Sequence, residues 1–430
     1  MKQFAVYLLF LLFIAGCTKV PEQNSSYYSA LNSSSVQGKI PNNSSIVNGA
    51  LVTRGQQPYM SVNFSDNGKQ LVYVSQNYRG EPVIYQVSQE QGRWLAPEQV
   101  VSLQSSIIEL SGLHFSRFMT TNSDQPSVAL GYVAFLAELT NGATGLFYAQ
   151  KVDTGWQVHR VATTENRVHV GGSEYFSQFS HPNVLDDAIY FLATADQEQF
   201  LYRYDILTGL RTAIPVQNAQ GVFLRNLRNL SFSGQSFAIT ADDAGGQEGV
   251  YAFEGYGSFR RLSPEYYNNI SGEKISVKLG QMSYGRFGTQ MSMITTANKQ
   301  LSKQALIPQT GVYINVKGFN DKPALLTWQK VSGFEFLHFK TPLLLKASQD
   351  QASFIFVANT ASAPQQMGVY KASITNGVVN VTPLLIPGEY LDKQRVIAVN
   401  VGDASVTRDQ LAVSVQFSNG QEGVYLLSTS

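Results

Sequence analysis

Short apolar runs alternate along this chain with polar turns and with segments that end in a tyrosine. The runs begin at Leu71, Tyr132, Ala188, Ser236, Met291, Ser353 and Leu411, and the tyrosines that follow them are Tyr85, Tyr148, Tyr202, Tyr251, Tyr313, Tyr370 and Tyr425. Because the runs are rich in Val, Ile, Phe, Tyr and Thr and are apolar at nearly every position, they are typical of strands covered on both faces. Each run is therefore predicted to form a hairpin with its tyrosine segment.

The hairpin repeats at a roughly constant interval. Successive tyrosines of the series lie between 49 and 63 residues apart, which is long enough for four short strands and their connections. Sheets stacked radially bury both faces and leave only short edges, and helical solenoids are disfavoured because period-3.6 patterns are almost absent. The pattern predicts an all-β fold, a seven-bladed β-propeller of four-stranded antiparallel blades.

The first repeat carries a family resemblance. FSDNGKQLVYVSQNYRGEPVIYQVS, from Phe64 to Ser88, resembles the TolB-type propeller repeat, in which a phenylalanine, a Ser-Pro-Asp-Gly-like turn and an Ile-Tyr strand follow one another. Asn67 replaces the usual aspartate of that turn, and the proline is absent. FSHPNVLDDAIYFLATADQEQFLYRYD, from Phe179, keeps the same order more loosely. The resemblance implies a β-propeller over residues 46–430.

The last repeat predicts how the ring closes. Ser430 comes only five residues after Tyr425, which is too short for a further strand in that blade. The segment 46–53, IVNGALVT, precedes the strands of the first repeat and is expected to supply the missing outer strand. Such a strand would join the two ends of the propeller and cover an open sheet edge.

The N-terminal residues have the pattern of a signal peptide. Lys2 is followed by the apolar stretch 4–15, and Ile14-Ala15-Gly16 precedes Cys17, the only cysteine of the chain. This arrangement resembles the lipobox of bacterial lipoproteins. The resemblance implies removal of residues 1–16 and attachment of diacylglycerol and palmitate to Cys17, whereas the alternative is an ordinary secretory peptide with a free thiol.

The lipoprotein resemblance also implies a location. Two or more acyl chains anchor a protein stably without a transmembrane helix. Thr18 in place of Asp favours the outer membrane in the Gram-negative sorting pattern, with the periplasmic or the surface-facing leaflet left open. Residues 17–45 are dominated by Ser and Asn, so they are expected to form a flexible tether between the lipid and the propeller.

Composition narrows the class of partner. Lys and Arg together number 31 and Asp and Glu number 30, while charged residues make up only 14% of the chain. Without an excess of positive charge, phosphate neutralisation is weak, so nucleic acid is excluded as the expected partner. The membrane, through the lipid at Cys17, and a protein of the cell envelope are the expected partners.

Chemical motifs are few, so the chain is predicted to be no enzyme and to use no cofactor or metal. The histidines are scattered without ligand spacing: His114, His159, His169, His181 and His338. Two acidic pairs, Asp186-Asp187 and Asp242-Asp243, fall in predicted turns, where Asp accepts local hydrogen bonds. Trp94, Trp156 and Trp328 each follow a tyrosine strand and are expected to pack within the blades.

Two functions fit these features. The first is a non-catalytic, membrane-anchored scaffold or accessory subunit of a cell-envelope assembly. The alternative is a propeller that binds glycan or peptidoglycan, with or without glycan chemistry. Fold alone does not separate them. A central pocket that brings together carboxylates and aromatics would favour the glycan, and a broad apolar patch at one rim would favour a protein partner.

One hairpin connection is longer than the others. The interval from Ile294 to Tyr313 contains ANKQLSKQALIPQTG, and extra length on a rigid scaffold is often where binding resides. Residues 297–310 are therefore predicted to form a contact loop, with these candidate contact residues: Asn298, Lys299, Lys303, Gln304 and Leu306.

Overall fold

Strands make up the regular structure of this protein, and the described residues contain no helix. The structure is a computed structural model. It describes residues 51–53, 60–65, 68–77, 79–121, 123–168, 173–255, 257–268, 274–275, 277–287, 290–299, 310–316, 319–407 and 409–429. Within these ranges there are 35 strands, and 33 of them form seven blades of mostly four antiparallel strands, which is the predicted β-propeller.

The first four blades follow one another along the chain, and in each of them the main strands run from the innermost outward. Blade 1 contains β2 (Met60–Phe64), β3 (Gln70–Gln76), β4 (Pro82–Glu90), β5 (Arg93–Trp94) and β6 (Glu98–Ser102). Blade 2 contains β7 (Phe115–Phe118), β8 (Ser127–Ala129), β9 (Tyr132–Leu139), β10 (Thr144–Val152) and β11 (Gly155–Thr163). Blade 3 contains β12 (Phe176–Leu185), β13 (Ala188–Ala195), β14 (Glu198–Asp205) and β15 (Arg211–Ile214). Blade 4 contains β16 (Gln217–Asn218), β17 (Arg225–Ser233), β18 (Ser236–Asp242), β19 (Glu248–Gly255) and β20 (Ser258–Arg261). In this blade β16 is added parallel to the outer strand β20.

The remaining three blades use longer inner strands. A short hairpin, β21 (Tyr267–Asn268) with β22 (Lys274–Ile275), precedes blade 5, which contains β23 (Val277–Phe287), β24 (Gln290–Lys299), β25 (Thr310–Ile314) and β26 (Pro323–Leu326). Blade 6 contains β27 (Lys330–Val331), β28 (Phe334–Ala347), β29 (Gln351–Thr360), β30 (Ala363–Thr375) and β31 (Val378–Leu385). Blade 7 contains β32 (Tyr390–Leu391), β33 (Gln394–Val406), β34 (Gln410–Phe417), β35 (Glu422–Ser428) and β1 (Leu51–Thr53).

The repeated hairpin forms as the sequence predicts. In every blade the apolar run pairs antiparallel with the tyrosine strand, as in β3 with β4 and β34 with β35. Gly249 and Gly311 explain why glycine precedes Val-Tyr, because a Cβ there would lie 2.9 Å and 2.8 Å from the rings of Tyr251 and Tyr313. Residues i and i+2 share a face of a strand, so the missing side chain gives the tyrosine ring its space.

Apolar side chains fill the spaces between neighbouring blades. One core joins blade 5 to blade 6 and includes Ile294, Val312, Phe336, Phe356 and Tyr370. The core that joins blade 7 to blade 1 contains Val62, Tyr73, Ala412, Val424 and Leu426. The first and last blades therefore pack on each other, and the ring is closed.

The N-terminal side of the propeller supplies the outer strand of blade 7. β1 pairs antiparallel with β35, with Leu51 opposite Val424 and Thr53 opposite Glu422. Residues 46–50 of the expected strand lie outside the described residues, as do residues 1–45, so the limits assigned to the signal peptide and the tether stay predictions.

Deleting residues 46–53 tests whether this pairing holds the ring closed. The deletion leaves the edge of β35 unpaired, so we expect the melting temperature to fall by about 5 °C or more. Thermal unfolding followed by circular dichroism measures this shift. Deletion of the equally long segment 20–27 is the control, and a melting temperature equal to that of this control would contradict the closing role of β1.

Candidate functional site

The innermost strands of the seven blades surround a central cavity of about 840 Å³. Its lining combines apolar side chains with many polar ones. Amide side chains come from Asn63, Gln125, Asn183, Asn229 and Gln281, and hydroxyls come from Ser65, Ser123, Ser127, Ser231, Ser233 and Ser283. The ionisable groups on the lining are His181, Lys346, Asp403 and Asp409. The axis of the propeller is therefore a polar space between apolar sheets.

A backbone irregularity recurs where the inner strands approach the axis. Register shifts interrupt the pairing at Ser180/Asn183 in β12, Arg228/Leu230 in β17, Lys340/Leu343 in β28 and Val401/Val406 in β33. His181, Asn229 and Thr341 have positive φ at these points. Such bulges turn a side chain away from the regular strand direction. Each of blades 2 to 7 has one polar residue where its inner strand approaches the axis. We call these six residues the axial ring: Gln125, His181, Asn229, Gln281, Thr341 and Asp403.

Side chains of the axial ring bond to the backbone of neighbouring blades. Oε1 of Gln281 accepts a hydrogen bond from the backbone N–H of Thr341 at 2.7 Å. Nδ2 of Asn229 donates to the carbonyl of Gly280 at 2.8 Å. Because these partners belong to the next blade, the bonds fix how successive sheets are placed around the axis.

Serines form a second set of hydrogen bonds between neighbouring blades. Ser127 Oγ accepts from the N–H of Val184 at 3.0 Å, and Ser231 Oγ accepts from the N–H of Tyr284 at 3.0 Å. Ser283 Oγ accepts from the N–H of Leu344 at 3.2 Å. Each bond again joins one blade to the next. The serine lies two residues after a residue of the axial ring, as in Gln281-Met-Ser-Tyr.

Asn63 joins three blades at the place where the ring closes. Its Nδ2 donates to Oε1 of Gln125 at 3.1 Å and to the carbonyl of Pro126 at 3.0 Å, both in blade 2. Its Oδ1 accepts from the N–H of Ala404 in blade 7 at 3.1 Å. Gln125 Oε1 also accepts from the N–H of Asp403 at 3.1 Å. Blades 7, 1 and 2 thus share one buried network.

The network leaves amide donors without acceptors. Nε2 of Gln125 and Nε2 of Gln281 are buried and have no hydrogen-bond partner in the part of the chain that the structure describes, although both residues line the cavity. Gln125 is only 5% exposed. An unpaired buried donor lowers stability by about 1–3 kcal/mol unless water or a ligand satisfies it. These two groups therefore favour an acceptor in the cavity.

Asp403 places a carboxyl group on the cavity wall. No group of the described residues donates a hydrogen bond to this carboxyl. The hydrogen bond between Asp403 and Gln125 uses the backbone N–H of Asp403 instead. The side chain faces the cavity, but seven sheets enclose it, and desolvation raises the pKa of Asp403 to about 7. Near neutral pH the carboxyl is thus present in both its protonated and its ionised form.

His181 is the second ionisable member of the axial ring. Burial lowers the pKa of His181 to about 4, so the imidazole is neutral at neutral pH. Its Nδ1 lies 3.1 Å from Oγ of Ser180. The wall therefore carries a neutral imidazole and the Asp403 carboxyl in the same ring of residues.

The other residues singled out from the sequence are dispersed. His114 and His159 belong to blade 2 and His338 to blade 6, while His169 lies outside the described residues. Within the described ranges, no three His, Cys, Asp or Glu side chains are grouped as a metal site would require. The pair Asp186-Asp187 lies at the turn after β12, as predicted, whereas Asp242 ends β18 and only Asp243 lies in the turn after it.

Trp328 differs from its prediction. Trp94 and Trp156 lie on strands, and Trp94 packs on Phe64 with ring centroids 6.2 Å apart. Trp328 instead follows β26 in a turn, has positive φ and is 48% exposed. The position of Trp328 after a tyrosine strand gave no sign that the next strand, β26, would end at Leu326.

The residues predicted to bind lipid or a partner are not part of the described site. Cys17 lies outside the described residues, and so do Lys303, Gln304 and Leu306. Asn298 and Lys299 end β24, where Asn298 pairs with Thr310. Among the described residues, no helical segment has the length and hydropathy of a membrane span.

Sequence analysis missed most of the axial ring. A signal was present, because a polar residue stands two positions before Ser or Asn in five inner strands. The examples are Gln125-Pro-Ser, His181-Pro-Asn, Asn229-Leu-Ser, Gln281-Met-Ser and Asp403-Ala-Ser. The residue types differ too much for this position to stand out before the blades are superposed.

Comparisons with solved structures find distant similarities to this chain. A polysaccharide lyase of the PL25 family, an ulvan lyase bound to -[GlcA(1-4)Rha3S]-, is 12% identical with a TM-score of 0.49 over 88% of this chain and 95% of its own. The β-propeller domain of the Trilobed protease from Pyrococcus furiosus is 8% identical with a TM-score of 0.44, covering 89% and 96%. TolB from Acinetobacter baumannii is 14% identical with a TM-score of 0.31, covering 83% and 79%. No protein-family model and no curated protein matches the chain.

The pKa of Asp403 predicts a pH dependence of stability. Its ordinary value is about 4, so between about pH 4 and pH 7 the folded chain holds a proton that the unfolded chain releases. This contribution is present at low pH and is lost as the pH rises through about 7. We expect Asp403→Asn to gain stability relative to the wild type between pH 5 and pH 8, measured by thermal unfolding at each pH.

Asp153→Asn is the matched control for this measurement. Asp153 is an exposed aspartate in the turn between β10 and β11. Its substitution should leave the shape of the pH profile unchanged. Parallel profiles for Asp403→Asn and the wild type would contradict the assignment.

Proposed function

We propose that this protein is a binding propeller that takes a hydroxyl-rich ligand, a segment of glycan, in its axial cavity. The observation that carries the proposal is the set of unsatisfied polar groups on the cavity wall. Nε2 of Gln125, Nε2 of Gln281 and the Asp403 carboxyl lack hydrogen-bond partners among the described residues. A sugar hydroxyl both donates and accepts, so it suits amide donors and a carboxyl acceptor together.

The size and polarity of the cavity support the same ligand class. A volume of about 840 Å³ lies within the range of about 300–1,000 Å³ that small-molecule sites occupy. Most drug-like ligand sites are lined mainly by apolar side chains, whereas this wall carries many amides and hydroxyls beside its apolar side chains. A polar ligand therefore fits this wall better than an apolar one.

We propose binding rather than catalysis at the axis. Two-carboxylate glycoside hydrolysis needs carboxyl groups about 5–9.5 Å apart on either side of the scissile bond. Asp403 is the only carboxyl of the axial ring, and Asp409, the other carboxylate of the lining, lies after β33 at the turn to β34. The neutral His181 side chain is better suited to hydrogen bonding than to holding a charge.

The location of the protein belongs to the same proposal. A lipid on Cys17 would hold the propeller at the outer membrane, and the tether 17–45 would let it stand away from the lipid surface. Labelling of growing cells with an alkyne analogue of palmitate tests this step. The label should appear on the wild type and be absent from Cys17→Ser, and equal labelling of both would contradict it.

A protein partner from an envelope assembly is the second candidate. The turn between β14 and β15 favours it, because Leu207 and Leu210 are 74% and 63% exposed. Asp205 holds this turn by accepting hydrogen bonds from the N–H and Oγ1 of Thr208. Crosslinking in cells separates the two functions with a double variant, Leu207→Ser combined with Leu210→Ser. If the protein is a scaffold, this variant should lose its crosslinked partner. If the protein binds glycan at the axis, its glycan binding should be unaffected.

An array of bacterial surface oligosaccharides and peptidoglycan fragments tests the proposed function. We expect the full chain to retain at least one array member and Asp403→Leu to bind that member about tenfold more weakly or worse, the loss expected for a hydrogen bond to a charged group. Asp403 makes no side-chain hydrogen bond within the described residues, so its replacement should leave the ring intact. Asp153→Leu is the control, and no retained member, or equal binding by Asp403→Leu, would contradict the proposal.

A further inference from the structure

A cluster of tyrosines, arginines and a histidine lies between the outer strands of blades 2 and 3, away from the axis. Tyr148 in β10 and His159 in β11 pair across blade 2 and stack with ring centroids 4.9 Å apart. Tyr204 in β14 faces them, with its ring centroid 6.0 Å from that of Tyr148, and pairs with Arg211 in β15. We call this space the outer cleft.

A bulge brings Arg160 to the outer cleft. The register of β10 and β11 shifts between Leu146 and Phe147, so that Val161 is the extra residue beside Arg160. A bulge turns a side chain from its regular direction. The charges of Arg160 and Arg211 both act on the hydroxyl of Tyr204, which places the two guanidinium groups near the same point.

The outer cleft also holds an acid, Glu109, whose charge acts on Tyr204 as well. Its Oε1 lies 2.9 Å from Nδ1 of His159 and its Oε2 accepts from the backbone N–H of Arg160 at 2.9 Å. Nη2 of Arg211 donates to the carbonyls of Arg167 and Val168, which carry no charge. No ion pair of Arg160 or Arg211 occurs within the described residues.

Two other half-buried arginines of this chain are paired with carboxylates, whereas Arg395 has no ion pair within the described residues. Arg228 lies 2.6 Å from Asp242 and 2.7 Å from Glu248, and Arg261 lies 3.2 Å from Asp243. Arg160 and Arg211 are buried to a similar degree, and burial, with a smaller contribution from the charge of Arg160, lowers the pKa of Arg211. Two like charges held together in this way lower stability unless an anion lies between them.

Arg211 is held in place for such an anion. The guanidinium of Arg211 lies over the ring of Phe176, 4.6 Å from its centroid, and the two carbonyl bonds fix its orientation. Because both hydrogens of Nη2 are donated to these carbonyls, a carboxylate or a sulfate would be bound through Nη1 or Nε, by a charge-assisted hydrogen bond. Tyr204, half-buried beside it, adds a hydroxyl.

An exposed aromatic ring beside the outer cleft narrows the ligand class. Tyr175 is 47% exposed, and the guanidinium of Arg167, whose own carbonyl holds Arg211, lies 5.8 Å from its ring centroid. An exposed tyrosine offers an apolar face and a polar hydroxyl at one place. An acidic sugar presents the matching groups, an apolar ring face and an oxyanion.

We propose that the outer cleft is a second binding site, in which Arg160 and Arg211 hold the carboxylate or sulfate of an acidic sugar against Tyr204. The proposal does not depend on glycan binding in the axial cavity, because the two sites share no residue. It also gives Arg160 a role that the packing of blades 2 and 3 does not require.

Isothermal titration of the full chain tests the outer cleft with four probes: glucuronate, glucose 6-sulfate, glucose and inorganic sulfate. We expect one or both acidic sugars to bind, with glucose and inorganic sulfate at least about tenfold weaker. Arg160→Gln should weaken the acidic sugar by about tenfold or more, which is the loss of one charge-assisted hydrogen bond. Arg117→Gln, a substitution of an exposed arginine of blade 2, should bind as the wild type does.

A second measurement needs no substitution. Phenylglyoxal modifies accessible arginines, and mass spectrometry of the wild type should find Arg160 and Arg211 protected by glucuronate or glucose 6-sulfate and unprotected by glucose. The proposal would be overturned if glucose or inorganic sulfate bound as tightly as the acidic sugars. It would also be overturned if Arg160→Gln bound the acidic sugar as tightly as the wild type does, or if the acidic sugars left Arg160 and Arg211 unprotected.

Discussion

The hydrogen bonds between neighbouring blades at the axis are the interaction on which the rest of this structure depends. Apolar packing draws the sheets together but has no direction, so by itself it does not fix the angle between one blade and the next. Asn63, Gln281 and the serines of the inner strands supply that direction by bonding to the backbone of an adjacent blade. Asn63 matters most, because its three bonds connect blades 7, 1 and 2, where the ring closes.

The same bonds determine the chemistry of the axial cavity. Gln125 and Gln281 use their carbonyl oxygens to hold neighbouring backbone N–H groups, and their Nε2 donors have no partners among the residues that the structure describes. Asp403 is held through its backbone N–H, so its carboxyl faces the cavity without a hydrogen-bond donor from the described residues, and desolvation raises its pKa to about 7. The candidate site is thus a consequence of how the ring is built, and ligand hydroxyls would complete a network that the fold leaves unfinished.

Much of the fold was predictable, because the hairpin repeats and its determinants are local. The Gly-Val-Tyr segments mark strands in which the missing Cβ gives room to the ring two residues later, as at Gly311 and Tyr313. The candidate sites were harder to predict. The axial ring is assembled from dissimilar residues whose directions depend on bulges, and His181 was noted only as one of several scattered histidines. The outer cleft depends on contacts between blades 2 and 3, and the spacing of Arg160 and Arg211 in the sequence gives no sign of them.

A double-mutant cycle between Asn63 and Gln125 tests the central claim most directly. The unfolding free energy would be measured by denaturant titration for the wild type, Asn63→Ala, Gln125→Ala and the double variant. A second cycle, with alanine substitutions at Asn63 and at the exposed Asn380, serves as the reference pair. The account predicts a coupling energy of about 1 kcal/mol or more for Asn63 with Gln125, and additivity within about 0.5 kcal/mol for the reference pair. Additive effects of Asn63→Ala and Gln125→Ala would contradict it, since the blades would then be held in place without the bonds at the axis.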